Sequence, residues 1–224
     1  MPTIGRDGRT RRLQRFYGAV HRLYDPFMFE STQEIWEAEL ALLRPAPGER
    51  ALDVGCGTGR LAIALADLVG ESGAVLALDI SPAMLRQAAR EVARTALAKR
   101  IRLLQGDARA LPCADQSFDL AAAGLVLELL CPADLDRALG ELRRAVRPGG
   151  RIVLAALADE EPYSRPLSFY LVLRRIIPLA ALGAPLKLRQ AAARAGLAPR
   201  ISVRRGLLRL PVDILLCDVP ARDA

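Results

Sequence analysis

Histidine, lysine and aromatic residues are scarce in this chain, and each shortage removes a class of function. His21 is the single histidine among 224 residues, which all but removes metal chemistry built on imidazole ligands. The four cysteines, Cys56, Cys113, Cys131 and Cys217, stand far apart and form no Cys-x-x-Cys pair. A zinc ribbon or a thioredoxin-type site is therefore not expected, and no metal is predicted. Aromatics make up only 4%, so Leu, Ala, Val and Ile must build the core. Lysine is limited to Lys99 and Lys187, and the formal charge of +7 rests almost wholly on arginine. Those arginines are scattered without interleaved aromatics, so they read as solvated faces and nucleic acid is not an expected partner. Long apolar runs are missing too. The most apolar stretch, residues 167–184, is broken by Arg174, Arg175 and Pro178 and falls short of a membrane span. Residues 1–15 are polar and basic with no apolar centre, so no signal peptide is predicted and the expected location is cytoplasmic.

What is present is an apolar fraction of 52% against 25% charged residues, the balance of a folded domain. The length suits one domain that needs no disulfide or metal staple. Short apolar runs alternate with longer helical patterns, which predicts an α/β domain with a mostly parallel sheet. Strands are expected at 50–54, 74–78, 101–105, 118–123 and 151–156, with helices at 58–69, from Pro82 towards Lys99, and at 134–146. Ser81 before Pro82 is an N-cap followed by proline at the first helical position. The turn Arg147-Pro148-Gly149-Gly150 should end the helix before the fifth strand. A last helix over 186–195 should close at Gly196, and two β-like runs, 201–210 and 212–219, suggest a hairpin.

Two segments stand outside the alternation. Residues 1–44 hold Phe16, Tyr17, Tyr24, Phe27, Phe29 and Trp36, most of the aromatics, and form an expected N-terminal helical cap. Residues 159–185 form an expected lid insertion within a domain spanning 45–224. Open parallel sheets bind ligands beyond the carboxyl ends of their strands, and extra segments over that edge are the natural seat of specificity.

The sharpest chemical signal is Leu52-Asp53-Val54-Gly55-Cys56-Gly57-Thr58-Gly59, a strand that runs into a glycine turn and then a helix. Glycines there permit positive φ and let backbone N–H groups approach a ligand. The spacing Gly-x-Gly-x-Gly departs from the dinucleotide fingerprint, because Arg60 fills its sixth position, and a P-loop's Gly-Lys-Ser/Thr is missing. Asp53 would repel a pyrophosphate and welcome a cation. Asp79 ends the second strand, where an acid commonly accepts ribose hydroxyls. Asp107 follows the third strand, so three carboxylates converge on one crevice.

These motifs, with Ala77-Leu78-Asp79-Ile80-Ser81, Gly106-Asp107-Ala108, Leu111-Pro112, Ser117-Phe118-Asp119 and Leu142 to Gly150, resemble the class I S-adenosylmethionine-dependent methyltransferases. The resemblance is nearest the subgroup of ubiquinone and menaquinone methyltransferases and other small-molecule enzymes, and it covers roughly residues 45–158. It implies a Rossmann-like, doubly wound, seven-stranded sheet of order 3-2-1-4-5-7-6 with the last strand antiparallel. It also implies S-adenosylmethionine as cofactor. Asp53, Gly55, Cys56, Gly57 and Gly59 would then stand near its methionine part and Asp79 on its ribose. Ile80 would lie beside the adenine, with Asp107 and neighbouring Ala108 at the adenine amine.

The acceptor side is less marked. Residues 124–131 read Gly-Leu-Val-Leu-Glu-Leu-Leu-Cys, with no Asn/Asp-Pro-Pro-Tyr of base or glutamine methylation. Cys131-Pro132 is not the Pro-Cys of cytosine-5 enzymes. Methyl transfer needs a base only where the acceptor must lose a proton. His21, Tyr24 and Glu128 are the candidates, and the sequence does not choose among them. The expected acceptor is a small apolar molecule such as a quinol, a polyketide or a lipid head group, with peripheral membrane contact as a secondary expectation. The rival readings are an RNA or protein methyltransferase, favoured by the positive charge, and a non-catalytic cofactor-binding protein, favoured by the missing base.

Overall fold

The computed structural model describes residues 8–159, 165–176 and 183–221. A 36-residue helix, α1 (Gly8–Leu43), precedes the alternating unit. That unit runs β1 (Arg50–Val54), α2 (Arg60–Leu68), β2 (Ala74–Asp79), α3 (Pro82–Ala93), β3 (Ile101–Gln105), β4 (Phe118–Gly124), α4 (Pro132–Ala145) and β5 (Val146–Leu157). It continues through α5 (Arg165–Ile176), α6 (Leu188–Arg194), β6 (Ala198–Leu207) and β7 (Leu210–Asp218). The sheet order is β3-β2-β1-β4-β5-β7-β6, as expected. β1 to β5 are mutually parallel, and β7 pairs antiparallel with both β5 and β6. Among the described residues no helix is long and apolar enough to cross a membrane.

Strand alternation sorts the core onto two faces. Leu52, Val54, Leu78, Ala121 and Ala123 face α4 and α6, where Leu135, Leu139, Leu142 and Leu188 meet them. Ala51, Val75, Ala77, Leu120 and Ala122 face the other way, onto Ile35 and Leu43 of α1 and Leu61 and Leu65 of α2. The same parity carries Asp53, Asp79 and Gly124, at the ends of β1, β2 and β4, onto the α1–α2 face. The end of α1 is pinned to the sheet: Arg151 donates to the carbonyls of Leu43 and Arg44 and pairs with Glu49.

Three expectations shift in detail. The helix after Ser81 ends at Ala93, well short of Lys99. Thr95 explains the stop, since its hydroxyl donates to the Val92 carbonyl and accepts the Leu97 N–H, diverting the backbone from the helical ladder. Residues 147–150 do not separate helix from strand but form an irregularity inside β5. Val146 pairs with Phe118 and Arg151 with Leu120, while Gly149 N–H and the Gly150 carbonyl bond to Val219. The closing hairpin turns at Leu208–Arg209, with φ of 50° and 67°, rather than at Pro211.

Candidate active site

The turn after β1 is built on backbone that side chains would obstruct. Gly55 has φ 78°, and a Cβ there would lie 2.7 Å from Val126. Gly57 has φ 54° and open space where its Cβ would be. The N–H groups of Gly55 and Cys56 both donate to the Leu78 carbonyl, at 2.7 and 3.0 Å, which ties the turn to β2. A cavity of about 200 Å³ opens beyond it, at the carboxyl ends of β1, β2 and β4. Its floor is Asp53 to Thr58, Asp79, Ile80 and Gly106 to Arg109, and α1 roofs it with Thr10, Leu13, Tyr17, Ile35, Trp36 and Glu39.

Asp79 is held from two sides. Its Oδ2 accepts the Gly57 N–H at 3.0 Å and its Oδ1 accepts the Ser81 N–H at 2.7 Å. Burial raises its pKa, against the pull of those bonds. Each oxygen keeps a further lone pair. Ile80 lines the cavity with its carbonyl engaged by Gln14 and Gln105 side chains. Asp107 is differently placed from what its isolated position in the sequence suggests. Arg109 grips it through Nε and Nη2, at 2.7 to 3.1 Å, and reaches on to Asp134 and Thr10. The carboxylate is thus already shared with a guanidinium at the end of the cavity. Ala108 lines the same end.

Asp53 is 2% exposed, and its Oδ2 is buried without a hydrogen-bond partner. Burial, and then the nearby Asp79 charge, push its pKa up to about 7. Burial and the same two carboxylates push the Cys56 thiol well above its ordinary value, so it is not a thiolate nucleophile. Glu128 lies in the 3-10 turn Leu127–Leu129, 4% exposed, with its pKa raised to about 7 by burial. It stands behind the cavity wall, against Gly183, whose Cβ would come within 2.2 Å of its Cγ. His21 and Tyr24 lie on α1, but their side chains, like those of Phe27, Phe29 and Phe169, fall outside the described residues.

Two functional candidates escaped sequence reasoning. Glu39 sits on α1 in the same buried stripe as Ile35 and Leu43 and lines the cavity. Its Oε1 lies 2.6 Å from where a Cβ on Gly124 would be, so that glycine makes room for it. Burial, then the charges of Asp53 and Glu128, raise its pKa to about 8. The phase of Glu39 within an apolar stripe was its one detectable signal. Arg109 is the other, and nothing in the sequence marks it.

A cation-seeking carboxylate, a diol-ready Asp79 and a glycine turn with open space at Gly57 fit a sulfonium nucleoside. Residues 51–150 match the model of a methyltransferase domain family. The chain is 31% identical over 172 residues to the demethylmenaquinone methyltransferase of Bacillus velezensis (strain DSM 23117 / BGSC 10A6 / LMG 26770 / FZB42), covering 74% of this chain and 72% of that one. The chain belongs to the class I S-adenosylmethionine-dependent methyltransferases. Its cofactor is S-adenosylmethionine. The chain also matches the demethylmenaquinone methyltransferase of Desulfitobacterium hafniense (strain Y51), 38% identical over 133 residues, 59% of this chain, but it spans only about half (52%) of that relative's length. Among solved structures, the cyclase SpnF superposes with a TM-score of 0.78 at 18% identity, over 98% of this chain and 99% of that one. A S-adenosylmethionine-dependent methyltransferase from Aquifex aeolicus gives 0.64 at 20% identity, over 82% and 89%. These likenesses speak to the methyltransferase fold, and a cyclase among them shows that the fold alone does not choose the reaction.

Proposed function

We propose that this methyltransferase acts on a small, apolar, quinone-like acceptor. The observation that carries the reading is the roof of the cavity. Leu13, Tyr17, Ile35 and Trp36 of α1, with Leu125, Leu129 and Leu130 after β4, give the cavity a largely apolar wall, which also carries Glu39. The Trp36 indole N–H is buried there without a hydrogen-bond partner and suits an acceptor oxygen. The relatives named demethylmenaquinone methyltransferases support the same class of acceptor.

In this reading Asp53 and the Gly55–Gly59 turn, Cys56 included, hold the methionine part, and Asp79 takes the ribose hydroxyls. Ile80, Asp107 and Ala108 border the adenine, with Arg109 sharing Asp107. When bound, S-adenosylmethionine supplies a methyl group on a positively charged sulfur. The protein's part is to hold the acceptor in line and dry, and such positioning is worth up to about 7–11 kcal/mol in favourable cases. The leaving group is a neutral thioether, so its departure needs no oxyanion hole. Where a quinol hydroxyl must ionise, a buried carboxylate with a raised pKa can receive its proton. Glu39 lines the cavity and Glu128 stands behind it, so Glu39 is the better placed of the two.

A panel of acceptors tests the reading: a short-chain reduced naphthoquinone, a water-soluble primary amine and a structured RNA. Turnover confined to the quinol, with KM raised in Trp36→Phe, supports it. Turnover of the amine or the RNA with none on the quinol overturns it.

A further inference from the structure

Three buried carboxylates come from three elements, two of them lining the cavity and one behind its wall. Glu39 of α1, Asp53 of β1 and Glu128 after β4 are 2%, 2% and 4% exposed. Each keeps one buried oxygen without a hydrogen-bond partner: Glu39 Oε1, Asp53 Oδ2 and Glu128 Oε2. Glu39 and Asp53 open directly onto the cavity, and Glu128 backs them. Three such groups cannot all be ionised in a buried site, because each charge opposes the next. Burial is the main cause of pKa values near 8, 7 and 7 for Glu39, Asp53 and Glu128; the charges of Asp53 and Glu128 add to the rise at Glu39, and that of Asp79 to the rise at Asp53.

Other charged and titratable groups surround the cluster. Asp79 borders Asp53 and adds to the negative side, while the Cys56 thiol beside them stays protonated and neutral. Arg60 of α2 stands on the cavity wall, and Arg109 is engaged with Asp107 and Asp134 at its other end. On the far side of Glu128, Tyr170 of α5 donates its hydroxyl to the Gly183 carbonyl. Among the described residues no grouping of His, Cys, Asp and Glu is arranged to hold a metal ion. Glu39 and Asp53 both open onto the cavity, so a cation entering it would favour their ionised forms.

We propose that Glu39, backed by Asp53 and Glu128, is a proton-exchanging counter-ion by which the cavity distinguishes the cationic cofactor from its uncharged-sulfur product. The inference rests on the methyltransferase reading. An entering sulfonium stabilises the ionised cluster and drives a proton out to solvent. The product shares the α-ammonium near Asp53 but carries no charge at sulfur, so Glu39 keeps its proton and the product is held less tightly. By linkage, whatever ionises the cluster strengthens cofactor binding by the same factor. Cofactor affinity therefore rises with pH while the cluster loses its protons, and levels off once it is ionised. Product affinity lacks the part of that rise that the sulfonium charge contributes.

Calorimetric titration of the full chain in buffers of different ionisation heat counts the protons. At about pH 6.5 the α-ammonium groups of S-adenosylmethionine and S-adenosylhomocysteine are both protonated, so the ligands' own titrations do not enter. Cofactor binding should release about one proton more than product binding does. Glu39→Gln should abolish that difference and cut the preference for cofactor over product about tenfold, the equivalent of one pKa unit of coupling. Glu128→Gln, outside the cavity wall, should reduce the difference by removing one of the opposing charges, and it serves as the second variant should Glu39→Gln fail to fold. Equal proton release by the two ligands in the wild type, or an undiminished difference in the variants, would overturn the proposal. No cofactor binding by the wild type would overturn the methyltransferase reading itself, and this inference with it.

Discussion

The Gly57 N–H donates to Asp79 Oδ2 at 3.0 Å, so the glycine turn after β1 is fastened to the acid that ends β2. One carboxylate thereby sets the shape of the turn and presents its free lone pairs to the cavity. Asp79→Ala should weaken S-adenosylmethionine binding by about ten- to a hundredfold, the loss expected for hydrogen bonds to a charged group at about 1.5–3 kcal/mol. Glu128→Ala should weaken it less. Calorimetry on both variants checks the order, and equal affinities in wild type and Asp79→Ala would refute the placement.

Arg109 joins the acid that follows β3 to α1 and α4, through Asp107, Thr10 and Asp134. Removing the guanidinium leaves Asp107 largely buried with its partner gone. Arg109→Ala should lower unfolding free energy by about 1–3 kcal/mol, measured by urea denaturation, and should also weaken the cofactor. Asp107→Asn should cost less stability, because it leaves no unpaired buried charge.

Much of this was legible from the residues. Buried parallel strands read as apolar runs, and Asp53, Asp79 and Asp107 stood at strand ends, where a doubly wound sheet gathers its ligands. Glu39 was hidden because a glutamate within a long helix ordinarily marks the solvent face; only the packing of α1 on the sheet turns it inward. The turn at Leu208–Arg209 was hidden for another reason. Two-residue hairpin turns are usually signalled by Asn-Gly or Asp-Gly, and here leucine and arginine adopt the positive φ instead. Arg109 was silent because its role depends on Asp134 and Thr10, which are remote in sequence.

Stability of the ligand-free protein should fall as pH rises from about 5 to about 8. Glu39, Asp53 and Glu128 all have folded-state pKa values above their ordinary ones, so the folded chain holds more protons than the unfolded chain across that window. Glu49, Asp119 and Glu141 act in the opposite sense. Their pKa values are lowered, mainly by bonds from Arg151, Arg50 and Arg144 acting against desolvation, so their contribution is lost only as pH falls below the carboxylate range. Thermal melts across pH should show the alkaline-side decline, and Glu39→Gln should flatten it. A stability that rises through that window would contradict the buried-acid assignment.

Gly124→Ala offers a gentler probe of the same group. The added methyl would meet Glu39 Oε1 at 2.6 Å, and the flexible end of Glu39 can move to admit it. The variant should fold with a stability loss of about 1 kcal/mol, within the ordinary range for point changes. It should also carry part of the Glu39→Gln effect on cofactor-over-product preference. A variant that leaves that preference at the wild-type value would show that Glu39 does not act from this position.

Methyl transfer to a quinone-like acceptor is read directly by a single-turnover experiment. The protein is mixed with S-adenosylmethionine labelled at the methyl carbon and a reduced short-chain demethylmenaquinone, and the quinone is analysed by mass spectrometry. One labelled methyl on the quinone is the expected result. Cofactor bound but quinone recovered without label would contradict it.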